Sequence, residues 1–197
     1  MRSVPVTLAG TGVRLGLPCA EAVTMSTGFS ELDQRLDGGG WPAGVLTELR
    51  IGHAGIGELR LLMPVLAPLS RKAHVLWVAP PYKPYAPALV AQKMALERLI
   101  LVYPRTHREA LWAVSQGLLS PSIGAVVSWF PAIREGEFRN LQRRASEGHH
   151  WAFCFLPETL APRPSRLRLA LRPTHEGLRI VFSRKAKRPL APLVITL

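Results

Sequence analysis

The chain has 197 residues, 48% of them hydrophobic; that is enough apolar material for one domain with a sizeable core, and it excludes a disordered polymer. A formal net charge of +12 points to a polyanionic partner, nucleic acid first and an acidic protein or lipid surface second, against the alternative of plain solubility charge. Cys19 and Cys154 are the only cysteines, no CxxC pair exists, and no apolar run nears the roughly 18–20 residues that span a bilayer, so a disulfide framework, a cysteine metal site and a membrane span are excluded.

Residues 1–23 read as a loose leader whose apolar residues are broken by Pro5, Gly10, Gly12 and Gly16, unlike a signal peptide. Phe29, Leu32, Arg35 and Leu36 recur at helical spacing behind Thr27, an N-cap type. The run from Gly38 to Gly44 stops that helix in a tight turn, and Val45 to Leu49 reads as a buried strand. Leu59, Leu62, Met63, Leu66 and Leu69 then place a helix over 58–70, which Pro64 and Pro68 are expected to kink or end early.

Residues 74–79 read as a second core strand and 80–87 as a rigid proline-rich loop. A helix is expected over 88–97 and a third strand over 99–103. His107 to Leu119 is an amphipathic helix, 124–129 a fourth strand, 135–147 a charged helix anchored by Phe138, Leu141 and Ala145, and 151–156 a fifth strand. Strands alternating with helices at this spacing specify βαβ units, hence an α/β fold with a mostly parallel sheet flanked by helices.

After Pro157 the pattern changes. Leu167, Leu169 and Leu171 alternate with Arg166, Arg168 and Arg172, and after a turn at 173–177 the apolar alternation resumes over 178–182. This is an antiparallel β-hairpin added to the core, followed by a basic run and a short strand at 193–197. The resulting division is a leader at 1–23, a core at 24–158 and a basic β-rich extension at 159–197.

Chemistry concentrates in few places. Gly52 and Gly57 have the spacing of a phosphate-binding loop, G-x-x-x-x-G-K-[ST], but Glu58 holds the lysine position and Leu59 the hydroxyl position. A carboxylate facing a triphosphate is repulsive, by about 1–4 kcal/mol at ~4 Å when partly screened. Two glycines five apart are also common in any strand–turn–helix connection.

Thr27-Gly28, Leu32-Asp33, Gly39-Gly40, Pro42, Gly44 and Glu48 match the lead-in of the RecA-like ATPase core, so a RecA-like fold is expected. More closely, Gly38-Gly39-Gly40-Trp41-Pro42, Leu46-Thr47-Glu48-Leu49, the stretch from Gly55 to Leu62, Ala79-Pro80-Pro81 and Pro84-Tyr85-Ala86-Pro87 resemble the ImuA family of bacterial translesion mutagenesis cassettes, over residues 25–197. The SulA cell-division inhibitors are similar over about 59–157. RecA-like ATPases also carry a magnesium-binding aspartate and a water-polarising glutamate at strand ends. The corresponding positions here hold Ser128-Trp129 and Ala79-Pro80-Pro81. Because phosphoryl transfer rests on positioning and charge stabilisation, the expectation is a degenerate loop with no enzymatic activity, catalytic residue, metal or cofactor.

The ImuA resemblance implies an SOS-induced adaptor working with an ImuB-like Y-family polymerase homologue, an error-prone DNA polymerase and RecA, with self-association open. It is expected in the cytoplasm, associated with the nucleoid. The alternative is a SulA-like inhibitor of FtsZ; a nucleotide switch that binds without hydrolysing is a third reading.

Independently of the resemblance, residues 160–197 hold nine Lys/Arg against one acid, Glu176. Arg163, Arg166, Arg168, Arg172, Arg179, Arg184, Lys185, Lys187 and Arg188 are therefore candidate contacts to DNA or an acidic partner, sequence-nonspecific because no helix carries an array suited to the major groove. Tyr82, Lys83 and Tyr85 are candidate loop contacts, with a packing loop as the alternative. Trp77, Trp129, Phe153 and Phe155 read as buried strand aromatics before base-stacking platforms, and His149-His150 as no metal site.

Overall fold

The computed structural model describes residues 23–182 and 191–197. Residues 1–22 of the leader and residues 183–190 carry no description, so Cys19 and the basic residues Arg184, Lys185, Lys187 and Arg188 lie outside the described residues.

The chain opens on β1 (Thr24–Met25), a single-turn α1 (Ser30–Asp33) and β2 (Trp41–Pro42), with β1 and β2 paired antiparallel. The helix expected from Thr27 is thus four residues long. Thr27 is fully buried and closes a local turn instead: its hydroxyl accepts from the Phe29 N–H at 3.1 Å, and its own N–H donates to Asp33 Oδ1 at 2.8 Å. Side-chain-to-backbone bonding of this kind competes with helix.

β3 (Val45–Ile51) follows, buried along its whole length, then α2 (Glu58–Ser70). α2 runs thirteen residues through both prolines, against the expected early end. Arg60, Pro64 and Pro68 fall four apart on its exposed stripe, where water replaces the hydrogen bonds that the prolines remove.

The remaining elements are β4 (His74–Val78), α3 (Ala86–Ala91), β5 (Leu99–Val102), α4 (His107–Leu119), β6 (Ile123–Trp129), α5 (Glu135–Gly148), β7 (Trp151–Pro157), β8 (Arg168–Thr174), β9 (Gly177–Phe182) and β10 (Leu193–Thr196). α3 starts two residues earlier than expected and is shorter, because Pro87 in its first turn suits a helix start, where an N–H has no partner anyway. α4 matches its expected limits and is capped by Thr106, whose hydroxyl accepts from the Glu109 N–H at 3.2 Å.

β10-β9-β8-β3-β7-β6-β4-β5 is the order of one eight-stranded sheet, in which β9 alone runs antiparallel. The fold is α/β with a mixed sheet flanked by helices and antiparallel strands at its C-terminal end. The hairpin β8–β9 is present, and β8 also pairs in parallel with β3, which joins it to the core sheet. Odd-numbered residues of β3, β4, β6 and β7, among them Leu49, Trp77, Val127 and Phe153, pack with α2; even-numbered ones, among them Leu46, Leu76, Val126 and Ala152, pack with α4 and α5. Both faces are covered, which is why these strands read as continuous apolar runs. No helix among the described residues is long and apolar enough to cross a membrane.

Candidate functional site

The loop 52–57 leaves the C-terminal end of central strand β3 and turns into α2. Gly55 (φ 86°) and Gly57 (φ 90°) take left-handed backbone conformations that side chains disfavour. Glu58 is the first residue of α2 and is 4% exposed; its Oε1 accepts a hydrogen bond from the Gly55 N–H at 3.0 Å. The seat that a phosphate takes in a working loop, between backbone amides and the positive end of a helix, is occupied by the chain's own carboxylate. Leu59 packs against the core. The Tyr82 ring lies against Gly55 and the Leu197 side chain against Gly57, while Gly52 faces open space.

The neighbouring strand ends offer no acid. Ser128, buried at the end of β6, donates to the Phe153 carbonyl at 3.2 Å, and Trp129 follows it. After β4 the chain turns through Ala79, at φ 56°, into Pro80. Among the described residues, no three His, Cys, Asp or Glu side chains are grouped to hold a metal ion.

Between the loop and residues 80–84 lies a cavity of about 190 Å³, whose walls include Leu59, Trp77, Pro80, Tyr82 and Trp129. Trp77 and Trp129 meet edge to face at 5.9 Å, and Trp129 stacks on Phe155 at 5.1 Å. Both indoles are buried, so neither offers a ring face for base stacking. Phe153 and Phe155 are buried too. Tyr82 and Tyr85, in contrast, are 67% and 73% exposed, and Lys83 between them is exposed as well.

The basic extension divides in two. Arg168 does not join an open surface: its Nε lies 2.7 Å from Glu48 Oε2, which is fully buried in β3. Arg50 Nη1 meets the other Glu48 oxygen at 2.9 Å, and the Arg163 N–H donates to Glu48 at 3.3 Å. Arg50 also donates to the carbonyls of Glu158 and Leu160, and Arg168 to that of Arg163. Glu48 thus pins the helix-free crossover from β7 to β8 onto the sheet. The sequence signal was available: Glu48 and Arg50 are charges inside a strand that is buried along its length. Half-buried Arg163 belongs to this cluster; its Nε is buried and has no acceptor.

Arg172 and Arg179 remain on the outside, both exposed and directly opposite each other across the β8–β9 pair. They line an open concavity of about 630 Å³ with Thr174 and His175. Arg172 Nε also lies 3.2 Å from Glu158. Arg166 is exposed near the start of β8. Like charges facing each other across a sheet are destabilising, a cost that the Glu158 carboxylate beside Arg172 offsets in part.

Two titratable groups near the core are set by burial. Buried Cys154 has its thiol pushed up to about 12 by desolvation, which leaves it unreactive as a nucleophile. His150 is buried and its pKa is held below the ordinary imidazole value, chiefly by desolvation, against hydrogen bonds to the Ile123 and Leu118 backbone.

No family model and no curated protein matches the chain. Among solved structures, the crystal structure of SulA from Pseudomonas aeruginosa is similar at 25% identity, with a TM-score of 0.48, covering 59% of this chain and 99% of that one.

Proposed function

We propose that this chain is a non-catalytic adaptor on a RecA-like core, of the ImuA type, which works in SOS-induced translesion synthesis with an ImuB-like polymerase homologue, an error-prone DNA polymerase and RecA. The observation that carries the non-catalytic part is the Glu58–Gly55 hydrogen bond: the anion seat of the loop is already filled. Phosphoryl transfer needs charge stabilisation at the γ-phosphate and a metal to bridge it. Glu58, Leu59, Ser128 and Ala79 stand where those groups belong; none supplies a cation, and the one carboxylate among them, Glu58, is held by the Gly55 N–H. A mostly parallel mixed sheet whose degenerate loop leaves its central strand supports the RecA-like part of the reading.

In this reading the core 24–158 is a scaffold and the extension 159–197 meets DNA through its basic residues, led by Arg172 and Arg179. Contacts of that kind go to phosphates, hold any sequence alike and weaken steeply with salt. The protein then resides at the nucleoid in the cytoplasm.

Affinity capture of the tagged chain from DNA-damaged cells tests the assignment. Co-purification of a Y-family polymerase homologue and a replicative-type polymerase is the expected result. Recovery of FtsZ in their place overturns it in favour of a division inhibitor, and ATP turnover by the purified protein overturns the non-catalytic part.

A further inference from the structure

The cavity beside the degenerate loop combines three features that the reading above does not use. Its two indole N–H groups, Trp77 Nε1 and Trp129 Nε1, are buried and have no acceptor. Buried donors are nearly always satisfied in folded proteins, so each of these two asks for an acceptor, as does Trp41 Nε1 outside the cavity. The segment that walls the cavity begins at Ala79, whose φ of 56° is strained for a residue with a side chain, and such outliers concentrate at binding sites. The rim is cationic and aromatic: Arg60 and Lys83 line it, Tyr82 is mostly exposed, and Tyr85 stands next along the segment.

We propose that this cavity is a docking pocket for one aromatic side chain of a partner protein, presented on a peptide segment with flanking acidic residues. A volume of about 190 Å³ suits a single aromatic ring. Proline and tyrosine walls match such a ring, and Tyr is among the residues that anchor protein interfaces. Backbone carbonyls of the incoming segment supply the oxygens that the two indoles lack. Lys83 and Arg60 pair with its carboxylates, in keeping with the net charge of +12 on this chain. Glu58 also lines the cavity, but its Oε1 is engaged by the Gly55 N–H, so the pocket's only acid is already occupied. Both indole nitrogens are closed to bulk water, so an acceptor reaches them only when the strap 80–84 shifts.

This pocket stands apart from the DNA-binding extension and is tested separately. The probe is the capped tripeptide acetyl-Asp-Phe-Asp-amide, titrated into the ¹⁵N-labelled full chain while the indole signals of the five tryptophans are followed by NMR. Trp77→Phe and Trp129→Phe assign the two signals of interest. Saturable shifts of both are expected, with acetyl-Asp-Ala-Asp-amide and acetyl-Lys-Phe-Lys-amide each binding at least about tenfold more weakly. Lys83→Glu, a surface change that leaves the core intact, is expected to weaken the acidic probe and spare DNA affinity. Unshifted Trp77 and Trp129 signals at saturating probe overturn the proposal, as do equal shifts with the alanine probe, or shifts confined to the exposed Trp112. Loss of DNA binding in another variant leaves the pocket untouched, and failure of the pocket leaves the DNA reading standing.

Discussion

Replacing Glu58 with alanine removes the carboxylate that fills the phosphate-type loop. Its hydrogen bond from Gly55 is charge-assisted, a kind that contributes about 1.5–3 kcal/mol. Its place in the first turn of α2 adds about 0.3–1 kcal/mol from the helix dipole. Gly55 is exposed, so its N–H is hydrated once the partner is gone, which holds the loss near the low end, about 2 kcal/mol. For a chain of this size that lowers the melting temperature by about 4–8 °C. Glu58→Gln keeps the shape and loses the charge, and is expected to fall between the two. Differential scanning fluorimetry with and without pyrophosphate gives the second readout. With the exposed Arg172 and Arg179 reversed to Glu in both proteins, the emptied seat is expected to accept pyrophosphate and raise the melting temperature of Glu58→Ala, while the protein that keeps Glu58, its seat filled, responds to neither pyrophosphate nor Mg–ATP. Stabilisation by Mg–ATP that persists in that Arg172→Glu, Arg179→Glu background with Glu58 present, or a Glu58→Ala variant as stable as the parent, refutes the account of Glu58 as an internal anion.

Glu48→Ala leaves Arg50 and Arg168 facing each other without their shared acid, and breaking a buried charge cluster of this kind is expected to destabilise by about 3–5 kcal/mol in urea unfolding. Arg172→Glu with Arg179→Glu is expected to weaken binding to random-sequence duplex DNA and to flatten the plot of log affinity against log salt by about 1.8; an unchanged slope removes this pair from the interface. For His150, the lowered folded pKa means that the unfolded chain takes up the proton first as pH falls below the ordinary imidazole value. Stability is therefore full above about pH 6.5 and declines as pH falls through the window down to the depressed folded value. Denaturant titrations of the parent and His150→Asn are expected to differ in that window, with the variant's curve flatter.

Legible in the chain alone were the strands and helices from β3 onward and their alternation, while the short pair β1 and β2 was not. Buried parallel strands read as unbroken apolar runs because both faces are covered, as in β6 and β7, and amphipathic helices such as α4 show their period directly. The missing cation at position 58 was equally legible, since residue identity alone fixes the sign of a charge. Where each charge points and what it meets came only with the three-dimensional fold. From the chain alone Glu58 repels a triphosphate; in the fold it turns back onto Gly55. Arg168 alternates with leucines as an outward residue and does leave the apolar face, but the crossover 158–167 lies on that other face and Glu48 waits there, 120 residues earlier in the chain. Thr27 has the chemistry of a helix cap and is spent on a turn instead. Local pattern reports which face a side chain takes, because that depends on backbone period. Partners brought together from distant parts of the chain depend on strand order, and no period in the sequence encodes that β8 comes to lie beside β3.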